Sequence, residues 1–303
     1  MKLEGEGPQG NAPGGKDPIT SADSSDDEVI CMIGNPNTML MESDREPLKN
    51  ITEKEYKSGR EPRFGKSNPE IMAVPFWSAM IAAQLDPYHA ETVLMKSDKL
   101  PHYNNSHDFS KQASRKKSDH PRPTWTFAGR MGQTTTELPD GRLVFIGGEY
   151  EDFYDPDFHI YNDVCVYDKN SSTSVLYGYP RTAFPPTDFH TATLVKGTPN
   201  IYIIGCLGYG YQRRSGETPV YRLDTRDFSM HAVKTSGEKP GWIDHHNACL
   251  VEDGKAIRVW GEKDGAFGGS KVYVKDGEKR GKTVDFEGEY LLNLETGRWT
   301  KQS

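Results

Sequence analysis

The feature that most constrains this chain is an internal repeat. Asp188-Phe189-His190-Thr191-Ala192-Thr193-Leu194-Val195 aligns with Asp244-His245-His246-Asn247-Ala248-Cys249-Leu250-Val251, 56 residues further on. Ile203-Ile204-Gly205 aligns with Val259-Trp260-Gly261 at the same spacing. An earlier copy runs through Arg130-Met131-Gly132-Gln133-Thr134 and Leu143-Val144-Phe145-Ile146-Gly147-Gly148, with Gly147 lying 58 residues before Gly205. Each copy then reaches a third apolar run, over residues 163–168, 219–224 and 290–295; Tyr167 to Leu223 is again 56, and Leu223 to Leu294 is 71. Phe228 and Trp299 follow five positions after Leu223 and Leu294 and mark a fourth run, a role that Trp125 also fits ahead of the first copy. Short runs rich in Val, Ile, Tyr and Phe between turn residues read as strands. A repeat of this length is one supersecondary unit that buries its apolar faces by stacking on its neighbours.

Four short strands per copy resemble the kelch repeat, whose unit is a four-stranded antiparallel blade. The family's second strand ends in a Gly pair, kept here as Gly147-Gly148 and altered to Gly205-Cys206 and Gly261-Glu262. Its third-strand Tyr is present as Tyr167 and is Leu in the later copies. The resemblance spans about residues 123–303 and implies an all-β fold, a kelch-type β-propeller that is incomplete or open. Its blades would occupy residues 123–180, 181–238 and 239–303, with a leftover strand at Thr124-Trp125-Thr126-Phe127. Propellers have roughly 4–8 blades, so three do not close a ring. An open arc exposes apolar faces and strand edges, which leads to self-association.

Upstream the pattern changes. Residues 1–27 are rich in Gly, Pro, Ser and Asp and end in an acidic run, so a disordered tail is expected. Residues 28–122 are expected to be mixed, with one strand over Val29-Ile30-Cys31-Met32-Ile33-Gly34 and several short helices. Helix starts are expected at Asn68-Pro69-Glu70, at Ala73-Val74-Pro75 (leading into the amphipathic run Phe76 to Ala83) and at Asp86-Pro87, because Pro is favoured at the first helical position. The polar stretch from Asp98 to Arg122 reads as a loop.

A net charge of −7 argues against nucleic acid and anionic membrane as partners, since both need a basic surface. No apolar stretch approaches the ~20 residues of a membrane span. Met1 to Gly15 has no apolar core of a signal peptide, so a cytoplasmic or nuclear, not secreted, protein is expected. The four cysteines, Cys31, Cys165, Cys206 and Cys249, form no C-x-x-C pair, which fits a reducing compartment.

In a propeller the connections between second and third strands share one rim. Here they span residues 149–162, 207–218 and 262–288, and all three are rich in binding side chains. Tyr150 and Tyr154 in the first, and Tyr209, Tyr211, Arg213 and Arg214 in the second, are expected to contact a protein partner, since Tyr and Arg dominate interface hot spots. Asp188, His190, Asp244, His245 and His246 are expected at the central channel, where His190 and His246 serve packing, the cluster of Asp and His could hold a cation or polar ligand, and an enzyme acting through His190 and His246 is one alternative. The first connection also contains Glu151-x3-Asp155-x3-His159, which resembles the E-x3-D-x3-H iron motif of plant specifier proteins. That resemblance implies an Fe(II) site of two carboxylates and an imidazole, and with it the alternative of a metal-dependent enzyme. The main expectation is a non-catalytic kelch-repeat scaffold without a cofactor, binding a protein partner through one rim.

Overall fold

Capping chemistry sets the helices that precede the repeats. The computed structural model describes residues 46–96, 123–152, 155–263, 269–275 and 281–303, and of residues 152, 155–157 and 252 the backbone alone. The tail over 1–27, the strand over 29–34, the loop over 98–122 and Tyr154 lie outside the described residues. Helices α1 (Glu46–Lys49) and α2 (Glu53–Gly59) come first. Thr52 caps α2 reciprocally: its hydroxyl accepts from Glu55 N at 3.2 Å, and the Glu55 carboxylate accepts from Thr52 N at 2.9 Å. Helix α3 (Pro75–Ala83) begins on its proline and ends where Gln84 turns left-handed, its N–H donating to Met80 O. Helix α4 (Pro87–Lys96) starts beside Asp86, whose carboxylate accepts from His89 N at 2.8 Å. Both Pro-led starts at 75 and 87 are therefore as expected. The start expected at Pro69 is not. Glu70–Ile71 is a short strand, β1, paired antiparallel as Glu70↔Gly178 and Ile71↔Tyr177. Asn68 explains the difference, since its amide clamps Met230 through bonds of 2.7 and 2.8 Å and holds the segment extended along a sheet edge.

The repeats fold as three mostly antiparallel sheets. Sheet 1 runs β2 (Thr134–Glu137), β3 (Leu143–Ile146), β6 (Val164–Asp168) and β7 (Thr173–Gly178), with the hairpin β4 (Glu149–Asp152) and β5 (Asp155–Ile160) inserted after β3. Sheet 2 runs β8 (Thr191–Leu194), β9 (Asn200–Ile204), β10 (Val220–Asp224) and β11 (Met230–Ala232). Then come β12 (Ser236–Gly237) and β13 (Trp242–Asp244). Sheet 3 runs β14 (Asn247–Val251), β15 (Ala256–Trp260), β18 (Glu289–Asn293) and β19 (Arg298–Lys301), with the hairpin β16 (Lys271–Val274) and β17 (Lys282–Asp285) inserted after β15. These four strands follow one another across each sheet, β1 adds antiparallel beyond β7 and β12 adds parallel beyond β19, and the chain is mostly β with a few short helices. Among the described residues the sheets do not close a ring.

Register refines the repeat. Leu223 faces Ile201 and Leu292 faces Ile257, so the residue equivalent to Leu223 is Leu292 rather than Leu294. Trp299 faces Leu292 and Met230 faces Leu223, so Met230 takes the fourth-strand place expected for Phe228. Phe228 sits in the preceding turn at φ 58°, its ring stacked on Tyr177 at 4.6 Å. The leftover strand at 124–127 is also absent. Trp125 instead donates its backbone N–H to Arg60 O at 2.7 Å and stacks on Trp77 at 5.0 Å, tying sheet 1 to the helices.

Alternation along the second strands builds the core between sheets. Val144 and Ile146 meet Ile201 and Ile203, while Tyr202 and Ile204 meet Ile257 and Val259. The other face of sheet 1, with Cys165, Leu176 and Phe145, packs on Phe76, Trp77 and Met80 of α3. First strands sit side by side, linked by Phe189 N donating to Gly132 O at 2.9 Å and His245 N donating to Phe189 O at 3.0 Å. Among the described residues no helix is long and apolar enough to cross a membrane.

Candidate functional site

Strand direction places the three second-to-third connections at one end of the sheets, together with the segments leading into β8 and β14. The first connection is largely a hairpin, pairing Glu149 with Ile160 and Tyr150 with His159. The second is held by its own side chains: Tyr209 N donates to Gln212 Oε1 at 2.9 Å, and Arg213 donates to the carbonyls of Leu207 and Gly208 at 3.0 and 3.1 Å. The third folds β16 back onto β13, so that Asp244 pairs with Lys271.

The three connections touch in series. Ile160 N donates to the Tyr209 hydroxyl at 2.9 Å, and Phe158 meets the Tyr209 ring edge-on at 5.7 Å. Lys275 N donates to Ser215 Oγ at 3.2 Å, and Trp242 Nε1 to Leu207 O at 3.3 Å. Tyr209 and Tyr211 stack nearly parallel, 5.5 Å apart at 8°. Tyr211 is 59% exposed. Its hydroxyl accepts from Arg181, whose guanidinium lies 5.6 Å above the Tyr211 ring and 5.1 Å above Phe64. Arg214 is exposed and donates to Tyr211 O at 2.8 Å. Of the expected contact residues, Tyr209, Tyr211 and Arg214 share this surface. Arg213 is partly buried and engaged with its own loop, Tyr150 packs toward the helices, and Tyr154 is outside the described residues. Arg181 and Phe64 carried no signal in the repeat pattern, because one lies between sheets and the other upstream of them.

The residues expected at a channel are buried at the junctions between sheets. Thr134 Oγ1 and His190 Nε2 are 2.8 Å apart, and Thr191 Oγ1 and His246 Nε2 are 3.1 Å apart, so each histidine clips its own sheet to the one before. Burial holds both imidazoles neutral, with pKa values lowered to about 3. His245 lies against Phe189, ring on ring at 3.9 Å, with its Nδ1 2.6 Å from Asp244 Oδ1. Asp188 is 0% exposed. Its Oδ1 accepts from Gly208 N at 2.7 Å, and its Oδ2 is buried without a hydrogen-bond partner, with the Glu149 carboxyl nearby. Burial first, then the Asp188 carboxylate, raises the Glu149 pKa to about 8, so Glu149 keeps its proton at neutral pH. Sequence reading placed Glu149 among loop acids and missed this pairing.

This arrangement sets a pH dependence. The folded chain holds the Glu149 proton up to about pH 8, whereas the unfolded chain releases it near its ordinary value of 4.5. Folding stability therefore falls as pH rises between those values, because the folded state binds more protons. His190 and His246 act in the opposite sense, but only below their ordinary value of 6.5. Urea unfolding at about pH 6.5 and about pH 8 should show the loss, and Glu149→Gln should flatten it. An unchanged slope in that variant would place the titrating group elsewhere.

The expected Fe(II) trio rests on Asp155, whose side chain lies outside the described residues. Glu151 is exposed, and the His159 ring meets Tyr161 edge-on at 4.7 Å. Burial and then the Arg130 charge lower the His159 pKa to about 4. Among the described residues no three His, Cys, Asp or Glu side chains are placed to hold a metal ion.

No family model matches the chain, and no curated protein matches it. Among solved structures it is similar to that of YjhT, at 16% identity and a TM-score of 0.38, covering 59% of this chain and 54% of that one. It is also similar to a fungal alcohol oxidase in complex with copper, at 13% identity and a TM-score of 0.33, covering 59% and 44%. The chain thus spans about half the length of these structures.

Proposed function

We propose that this chain is a kelch-type propeller arc that works as a scaffold, engaging a protein partner through the rim that carries its three insertions. Support for the kelch-type reading comes from three sheets that each hold four strands in simple order, two of them extended by one edge strand, with first strands adjacent and a glycine closing each second strand. The observation that carries the binding reading is Tyr211. It is 59% exposed, yet its ring is fixed between Tyr209 and Arg181. A large aromatic surface that is already oriented loses little freedom on binding. The bonds that join the three connections keep that surface at a constant position over the sheets.

The test is quantitative binding of co-purifying proteins to wild type and to a Tyr211→Ala, Arg214→Ala variant. A loss of about 2 kcal/mol, roughly thirtyfold, is expected for hot-spot residues. Arg213 is left intact because its loss would disturb the loop itself. Unchanged partners and affinities with an unchanged circular dichroism spectrum would put the binding surface elsewhere.

A further inference from the structure

Most arginines outside the rim carry a carboxylate of their own. Among the described residues Arg63 pairs with Glu70, Arg142 with Asp140 and Arg226 with Asp224, and the buried Arg130 pairs with Asp163. On the rim the pattern is reversed. Arg181 and Arg214 are exposed, and their hydrogen bonds go to the Tyr211 hydroxyl and to the carbonyls of Tyr211 and Arg213, all of them uncharged. Glu217, the acid nearest to Arg214 along the chain, is turned to Lys239 instead. In a chain of net charge −7, two exposed guanidinium groups that share one tyrosine and, among the described residues, lack a carboxylate form an unmatched positive patch.

The neighbouring side chains narrow the kind of anion that fits. The rings of Tyr211 and Phe64, 5.6 and 5.1 Å from the Arg181 guanidinium, orient it without adding a formal charge. A stacked guanidinium keeps its in-plane N–H donors, and a planar, two-oxygen carboxylate matches such an edge. Beside it the surface is apolar. Of the five large apolar side chains that stay exposed among the described residues, Tyr211 and Phe158 stand here, linked through the Tyr209 ring at 5.5 and 5.7 Å. A small free anion would leave those rings bare, whereas a peptide covers them with the side chains next to its acid.

We propose, resting on the rim as the partner surface, that the partner presents a short acidic segment there. An Asp or Glu carboxylate takes the open edge of Arg181, and Arg214 adds to the positive field. An adjacent apolar side chain covers Phe158 and Tyr209. Because both arginines are exposed, salt weakens the contact.

The probe is a library of random dodecapeptides displayed on phage and selected on the full chain. Selected peptides are expected to carry an Asp or Glu next to apolar residues. One such peptide should lose about tenfold in affinity when its acid is replaced by the amide. Arg181→Gln should cost the acidic peptide a similar factor and the amide peptide little, because both changes remove the same contact. Circular dichroism checks that the variant folds. A substitution that merely disturbs Tyr211 would weaken both peptides alike, and that outcome overturns the proposal. So does a selection that yields no binder. Inorganic phosphate displacing the peptide where acetate at equal concentration does not would also overturn it, assigning the site to phosphorylated segments. Binders lost with Tyr211→Ala but indifferent to Arg181→Gln and to their own acids keep the rim and overturn the acidic segment. Binders indifferent to Tyr211→Ala as well remove the rim reading, and the proposal with it.

Discussion

Replacing Asp163 with Ala is expected to destabilise the folded chain by about 3–5 kcal/mol, the range for removing one partner of a buried ion pair. The Arg130 side chain is 1% exposed, and its guanidinium meets both Asp163 oxygens, the second at 3.0 Å. Trp125 Nε1 donates to the same carboxylate at 3.1 Å. Without Asp163 the guanidinium keeps the carbonyls of Thr126 and Gly147, at 2.8 and 3.1 Å, and the rings of Tyr161, Trp125 and Phe127, at 3.5, 5.2 and 5.7 Å. None of these carries a full negative charge. The indole N–H loses its acceptor as well, and Trp125 is the residue through which sheet 1 meets α3. Urea unfolding measures the effect. Adding Arg130→Met should recover much of the loss, because the stranded charge goes with it. A single-variant cost below about 1 kcal/mol would show that the pair does not hold this junction.

Gly205→Ala is expected to cost about 3 kcal/mol, from two sources that a control can separate. The residue has φ +71°, where a side chain costs about 1–2 kcal/mol. A Cβ there would also lie 2.5 Å from both Ile243 O and His246 Cε1. Neither neighbour gives way easily. Ile243 O accepts from Cys206 N at 2.9 Å, and His246 is clipped to Thr191. Overpacking of this kind adds about 1–3 kcal/mol. Gly141→Ala supplies the comparison, since Gly141 has φ +87° but nothing within 4 Å of the added atom. Its cost should be the conformational part alone. Equal losses in the two variants would mean that the close approach of sheets 2 and 3 is not what requires glycine at 205.

The strands were legible because their apolar runs recur at a fixed spacing, and Gly205 stands out for the same reason. What the sequence did not reveal depends on partners distant along the chain. Pro69 and Pro75 carry the same local helix signal, yet Asn68 binds Met230 and draws the first into a sheet edge. Trp125 matches the fourth-strand pattern by position, but its use is decided by Trp77, 48 residues earlier, in a helix that the repeat says nothing about. Residues 149–160 read as a loop because their acids and aromatics lack a clean alternation, whereas the hairpin there rests on backbone pairing. At the candidate site, Tyr209, Tyr211 and Arg214 were legible from residue type and position. Arg181, which fixes Tyr211, was not, since only the folding of sheet 1 against sheet 2 brings it there. The proton kept by Glu149 beside Asp188 is likewise a property of two side chains from different sheets.

The helical cover on sheet 1 has a consequence for how the chain is made. Domains fold as units from the N-terminal side during synthesis, and α1 to α4 precede β2 to β19 in sequence. When β2 to β7 leave the ribosome, the surface on which Cys165 and Leu176 pack is already available. Sheet 1 then presents Val144 and Ile146 to the emerging sheet 2, which in turn presents Tyr202 and Ile204 to sheet 3. Each new sheet thus meets a finished template, and at any moment only the most recently completed face is bare. Neighbour-to-neighbour assembly of this kind keeps the slow, aggregation-prone part of β folding confined to one surface at a time.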